Sequence, residues 1–589
     1  MKHNIVRKLQ RAGAGMLAAV LMTGCAGTAG DNVRETDTED ITSAAEESQS
    51  TASLTASLNE ETAWKEASAT PYGRYPETVV YTLARLTTDA NSNLPKGDTY
   101  ENNAYTRLLN EVINVQNEDV FQGSGDTYTN GISMMIATGE MADIMVVGEE
   151  EMYQLQEKGM LEDLTEAFAN CASDRIKEIY ESYGEHIFDS CTFDGKLMAI
   201  PETEISNGPN LFWVRKDYLD ALGLEEPENL ADAMNIAKKF AEHNIGGTEE
   251  KRNIGLACTT ELVGGTGNAA EFVMDLVFAA YNAYPKQWIA EEDGTVGYGS
   301  VQPEAKEALQ YLNELYEDGV IDPDFLIRTW DDVAGVIAEG RCGAFFAPWW
   351  APNNPLWECY DADSEAEWVP YLISNTENGT TRYGSQKMTG NYVVVRKGYE
   401  HPEVAIKILS VMFDYMRYSY EDPDGEFQKY YRENVDPTAR PLTVNVDYKQ
   451  ALNMCYDTLC DAISGGISPE ELPLLERSYY EVCRSYLDGM ENATAEEWSG
   501  YTSRITACAL LSSDTIEEVE VWHPRKTETM TRNWYRLEEI ESEFYLKIIR
   551  GEESMDAFDD FVQRWYEEGG TEILEELQNQ KKESGIVGD

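Results

Sequence analysis

Five short apolar runs, each bounded by turn or charged residues, recur at 79–83, 143–147, 211–214, 343–346 and 392–395. Runs of that length and composition are the pattern of strands buried on both faces of a parallel or mixed sheet. Between them the period changes. Ala233, Ile236, Ala237 and Phe240 fall at i, i+3, i+4 and i+7, and Ala305, Ala308, Leu309, Leu312, Leu315 and Tyr316 carry a similar stripe through three turns. Leu537, Ile540, Phe544 and Ile548 make a third stripe, and Phe558, Phe561, Val562 and Trp565 a fourth. These spacings predict amphipathic helices. Strands alternating with helices predict α/β layers, and the lack of a fixed-period repeat argues against a solenoid or propeller.

The first residues follow another pattern. Lys2, Arg7, Lys8 and Arg11 give a basic start without an acid, and an apolar stretch follows at 12–22. It is shorter than the ~20 residues a spanning helix needs and has the form of a secretory signal. It ends in Leu21-Met22-Thr23-Gly24-Cys25, which resembles the lipobox of bacterial lipoproteins and makes Cys25 the expected lipid attachment site. A diacyl group there would hold the chain stably, where one acyl chain would not. Residues 1–24 are read as the signal peptide and 25–75 as an acidic tether. No aromatic residue lies between Cys25 and Trp64, so most of that stretch lacks the apolar surface to offset its ordering entropy.

Composition narrows the chemistry. The chain has 589 residues, enough for three or four domain-sized units. There are 107 acidic and 46 basic residues, a net charge of −61; removing residues 1–24 leaves 42 basic residues and −65. No basic stripe interrupts this surface, so nucleic acid is an improbable partner. With five His and no HExxH, GxxxxGK[ST] or GxSxG motif, neither a metal, a cofactor nor a catalytic nucleophile is expected. Gly264-Gly265-Thr266-Gly267 lacks the spacing of a dinucleotide loop. Asp89, Asn91 and Asn93 begin like a calcium loop, but Leu94 stands where Gly is required and Tyr100 where the closing Glu belongs. Setting Cys25 aside leaves nine cysteines without a CxxC pair. Most are expected to be reduced core residues.

Several segments, in order, resemble the family 1 extracellular solute-binding proteins, the lipid-anchored receptors of Gram-positive carbohydrate ABC importers and distant relatives of maltose-binding protein. They are 137–144 (ATGEMADI), 194–201 (DGKLMAIP), 211–224 (LFWVRKDYLDALGL), 338–352 (AEGRCGAFFAPWWAP) and the C-terminal run 544–570, which contains IIRGEESMDAFDDFVQRWYEEGG. The resemblance spans roughly residues 78–580. It implies an α/β, two-lobe, periplasmic-binding-protein-like (class II) fold with the ligand cleft between lobes. The crossovers are expected near 202–210 and 387–391. The N-terminal lobe is expected to comprise 76–204 with 390–470, and the C-terminal lobe 205–389 with 471–580.

A sugar presents apolar C–H faces, which suit aromatic rings, and a hydroxyl rim, which suits carboxylates, amides and guanidinium groups. The candidate ligand-binding residues are therefore Trp349 and Trp350 after a strand-like run, Trp330 before it, Trp213 in the 211–214 run, Asp143, Glu202 beside the crossover, and Arg85 after the first strand. The resemblance implies a carbohydrate ligand, an oligosaccharide by chain length, held by hinge closure and passed to membrane permease subunits without catalysis. A peptide or polyamine on the same fold and a surface polysaccharide hydrolase are the competing readings.

Overall fold

The computed structural model describes residues 61–88, 93–184, 186–264, 270–290 and 295–583. The signal segment, Cys25, most of the tether, Asp89, Asn91 and Gly265–Gly267 lie outside these residues.

The first lobe is built on a five-stranded sheet in the order Val115–Gly123, Val79–Leu86, Ile144–Gly148, Asn391–Val395, Ile200–Pro201. The first three strands run parallel, and Asn391–Val395 runs antiparallel to both its neighbours. Ile144–Val147 are all buried, as the unbroken apolar run requires of a central strand covered on both faces. Helices Ala104–Ile113 and Glu403–Ser410 contribute Leu108, Leu109, Val404 and Ile408 to the same core.

The second lobe centres on Leu211–Arg215, flanked antiparallel by Ala344–Ala347 and Trp368–Tyr371. Parallel bridges from Ile254 to Cys342 and Leu256 to Ile321 widen this sheet. Helices Leu230–His243, Pro303–Glu317, Glu528–Ile549 and Ala557–Trp565 bury the four predicted stripes against it. Their starts are encoded locally. Asn229 accepts the Asp232 N–H, Pro303 sits in a first turn where no N–H is needed, and Thr527 closes a capping box.

Two expected boundaries move. The stretch assigned to the tether up to residue 75 is docked by its end: Ala67 and Tyr75 are buried in the first core. Lys407, itself buried, donates to the carbonyls of Ala67, Thr70 and Gly73 at 2.7–2.8 Å. The division placed at 470 is not a division either. Leu452 packs with Leu211 and Trp213, whereas Leu474 packs in the first core, so the helical stretch 451–511 straddles both lobes. Nine cysteines are free among the described residues and eight of them are buried, which is the role of a small apolar side chain.

Candidate functional site

Three segments cross between the lobes side by side. In the first, the N–H groups of Glu202, Thr203, Glu204 and Ser206 donate to Asn391, Asn445, Met388 and Lys449 oxygens at 2.8–2.9 Å. The 202–206 segment is thus bonded on one side to the return crossover at 388–391 and on the other to a third at 445–449. Ladder bonds that alternate between two neighbours fix the segments' register.

Glu202 lies in this ribbon. It is buried, accepts the Asn391 side-chain N–H at 2.5 Å, and stands against Gly390, where a Cβ would approach its Oε1 to 3.2 Å. Burial, with the Glu204 charge adding to it, raises its carboxyl above the usual range. It ties two crossovers together.

Trp349 follows Ala344–Ala347 and donates its indole N–H to Asn207 of the first crossover at 3.1 Å. The guanidinium of Arg504 lies over the same indole at 4.4 Å and over the Tyr479 ring at 4.0 Å. Tyr479 belongs to helix Leu474–Gly489, whose Glu476 bonds Arg417 of the first lobe at 2.9 Å. Tyr431, on helix Glu426–Arg432, lies within electrostatic reach of both Tyr479 and Arg440. Trp349 from one lobe and Tyr431 from the other therefore flank the Tyr479–Arg504 pair beside the ribbon. Trp350, Tyr431, Tyr479, Arg440 and Arg504 keep part of their surface open. Aromatic faces with a few fixed polar groups are what a sugar-sized ligand needs.

The other sequence candidates separate from this group. Trp330 is partly buried at the start of helix Trp330–Ala338, 6.1 Å from Phe272, and burial raises the carboxyl of Glu271 next to Phe272. It packs on the same cluster as Trp349 and Trp350. Trp213 is a correction: it is fully buried, and its indole N–H is shared by the Ala347 and Pro348 carbonyls at 3.2 Å, so it is packing. Arg85 is also corrected. It is buried in an ion pair with Asp119 and donates to the Thr438 and Arg440 carbonyls, so it fixes the loop that carries Arg440. Asp143 precedes its strand rather than ending it. It accepts from the Thr82 N–H and hydroxyl at 2.9 and 2.8 Å and pairs with Arg396. Burial raises its carboxyl, but the Thr82 and Arg396 bonds outweigh that and hold it below the usual range. Both carboxylate oxygens are engaged inside the first lobe.

On another flank, the helix Glu149–Glu157 of the first lobe meets the second. Lys387 pairs with Glu149 at 2.6 Å, Lys526 with Glu150 at 3.1 Å, and Arg525 lies over Tyr153 at 5.5 Å. His523 sits beside Lys387, and burial, reinforced by that charge, lowers its imidazole to about 4. A His lowered from 6.5 in the folded chain binds fewer protons than the unfolded chain between pH 4 and 6.5. Stability contributed by neutral His523 is therefore full above pH 6.5 and lost as pH falls towards 4. Unfolding midpoints measured across that window should slope less steeply in His523→Asn; an unchanged slope counts against it. A small pocket beside the first crossover is lined by Asn210, Asp275, Tyr284, Gln287 and Gln386. Burial raises Asp275 to about 7 there, although it accepts the Gly264 N–H.

Arg504, Tyr479, Tyr431 and Asn207 carry no sequence signal of their own. Each lies in a polar helical or loop segment and gains meaning only from what the fold sets against it.

The model of the family described as bacterial extracellular solute-binding protein matches residues 91–414. The chain is 20% identical over 466 residues to Lipoprotein LipO of Bacillus subtilis (strain 168), covering 77% of this chain and 83% of that protein. It is 22% identical over 235 residues to the fructooligosaccharide ABC transporter substrate-binding protein FusA of Streptococcus pneumoniae, 37% of this chain and 41% of FusA. With the polygalacturonan/rhamnogalacturonan-binding protein YtcQ of B. subtilis it shares 25% over 154 residues, 26% of this chain and 29% of YtcQ. The match therefore spans less than half the length of FusA and of YtcQ. Among solved structures, an HMO-binding, ABC-transporter-associated solute-binding protein from Bifidobacterium longum infantis aligns with a TM-score of 0.55 at 13% identity, covering 85% of this chain and 98% of that one. The alginate-binding protein AlgQ2 aligns with a TM-score of 0.53 at 12% identity, covering 86% and 98%. These likenesses establish the two-lobe periplasmic-binding-protein-like fold.

Proposed function

The chain belongs to the bacterial extracellular solute-binding family, and on that premise we propose that it is the carbohydrate receptor of an ABC importer. It captures an oligosaccharide between its lobes and hands it to membrane permease subunits, with Cys25 as its lipid anchor on the outer face of the cell membrane. The observation that carries this reading is the convergence of Trp349, Tyr479 and Tyr431 from both lobes beside the crossover ribbon. Stacked rings serve the C–H faces of pyranose or furanose units, and Asn207, Glu271 and Arg504 serve hydroxyls. Relatives named for fructooligosaccharide and polygalacturonan binding support the ligand class.

Binding needs no catalysis. A ligand that touches both lobes stabilises the closed arrangement by its differential affinity for it. Rotation is absorbed in the three-segment ribbon, where the bonds between crossovers persist. A polyamine is disfavoured because Arg504 and Arg440 would repel a polycation. Among the described residues no helix is long and apolar enough to cross a membrane, which is compatible with attachment through lipid alone.

Calorimetry on the chain lacking its first 25 residues, across defined neutral and acidic oligosaccharides, tests the proposal. Stoichiometric heat without release of smaller sugars is expected; turnover would make it a hydrolase, and binding to peptides or polyamines alone would overturn it. Trp350→Ala, which removes a partly exposed ring, should weaken affinity about tenfold or more with little change in unfolding midpoint. Unchanged affinity with a large fall in midpoint would assign Trp350 to the core.

A further inference from the structure

Arg504 is a cation without a counter-ion. Among the described residues it forms no ion pair, and the hydrogen bond found for its guanidinium is Nη2–H to the Tyr479 hydroxyl at 2.8 Å. It lies over the Trp349 and Tyr479 rings. Besides Tyr479, the ionisable groups that act on it most strongly are the thiols of Cys455, Cys508 and Cys483. Burial raises these to about 11, about 12 and about 12, so none supplies a negative charge at neutral pH. A guanidinium stays charged throughout that range.

With 107 acidic residues against 46 basic ones, acids are abundant enough to pair every arginine. Arg85, Arg215, Arg328, Arg396 and Arg417 all have carboxylate partners. An unpaired charge removed from bulk water is costly unless something compensates it, and here cation–π contacts supply only part of that. Arg440 likewise bonds only neutral acceptors among the described residues, the Pro437 carbonyl at 3.4 Å and Asn445 Oδ1 at 3.3 Å.

We propose that Arg504 is a specificity-determining residue that receives the carboxylate of an acidic sugar, so that the ligand is an oligosaccharide containing uronate units. The inference rests on the carbohydrate reading above and narrows its substrate class. The planar fork of the guanidinium matches a carboxylate with two parallel N–H···O bonds, and the adjoining Tyr479 ring, which keeps part of its surface open, offers a face for the same sugar ring. A neutral sugar would leave the charge uncompensated.

Calorimetry with trimers of galacturonate, mannuronate and guluronate, the methyl ester of the galacturonate trimer, and neutral maltotriose and kestose tests it. At least one uronate trimer should bind. If it is the galacturonate trimer, esterification should weaken it at least tenfold. Arg504→Gln should weaken the bound uronate at least tenfold while leaving the unfolding midpoint near its original value. Arg504→Lys, which keeps the charge but not the fork, should fall between. Binding of a neutral trimer with no uronate bound, an ester as tight as its acid, or full uronate affinity in Arg504→Gln would each overturn the inference and leave the carbohydrate reading standing. No heat with any sugar would remove both. The comparison of wild-type binding to acid and ester needs no variant, so a misfolded substitution does not shelter the proposal.

Discussion

Replacing Trp213 with alanine lowers stability by about 3–5 kcal/mol, the range for deleting a fully buried Trp. The indole has no exposed surface, sits at the centre of the second lobe's three-stranded sheet, and faces Phe345 on one neighbouring strand and Pro370 on the other. Its N–H is satisfied by two carbonyls at 3.2 Å just where the chain leaves Ala347 for Trp349. Alanine therefore opens a cavity in close-packed surroundings and strips a donor from the turn that positions Trp349. Trp213→Phe, which keeps most of the volume and loses only the N–H, should cost about 1 kcal/mol. Denaturant unfolding of the two variants measures this. The folded fraction of Trp213→Ala should keep its ligand affinity, because no ligand reaches that ring. A small loss of stability with a large loss of affinity would put Trp213 in the site after all.

Trp213 also illustrates how far the chain could be read. The apolar runs declared the central strands because a strand covered on both faces has no polar position to break its pattern, as at Ile144–Gly148 and Leu211–Arg215. The edge strand Val115–Gly123 escaped notice because it alternates buried and exposed residues through a polar sequence. Helical stripes were legible for the same reason as the strands: burial on one side demands a period. Charged site candidates were not. Arg85 and Asp143 look alike in sequence whether they face a ligand or a partner, and their partners Asp119 and Arg396 are 34 and 253 positions away. The stretch 451–511 hid most. Its role comes from straddling two lobes, and Arg504 in a π-helical turn acquires its neighbours Trp349 and Tyr479 only there. Glu202 is a carboxylate whose bond to Asn391 makes it part of the ribbon that joins the lobes, and that partner lies far from it in the sequence.

Replacing Arg417 with methionine should destabilise the chain by about 3–5 kcal/mol, the cost of leaving buried charge without its partner. Arg417 bridges two buried carboxylates, Asp447 in the third crossover and Glu476 on the straddling helix. Asp447 is in turn locked to the first crossover: its N–H donates to the Thr203 hydroxyl at 2.8 Å, and that hydroxyl donates to the Asp447 carbonyl at 3.1 Å. In the native chain burial already raises the Asp447 carboxyl, with Arg417 opposing. A carboxyl raised in the folded state binds more protons than in the unfolded state, so its contribution is full below the unfolded value and is lost as pH rises through the folded one. Removing Arg417 takes away the opposing charge and raises Asp447 further. The defect in Arg417→Met should therefore be larger at pH 8 than at pH 5, where protonation relieves the unpaired acids. Adding Asp447→Asn should recover part of the loss at pH 8 and little at pH 5, because an amide keeps the shape and the Thr203 bonds without the charge. Unfolding midpoints of the single and double variants at both pH values decide it. A defect independent of pH, or one that Asp447→Asn deepens at pH 8, would mean that Arg417 acts through packing against Tyr418, 5.1 Å away, and that the crossover is held by its backbone bonds alone.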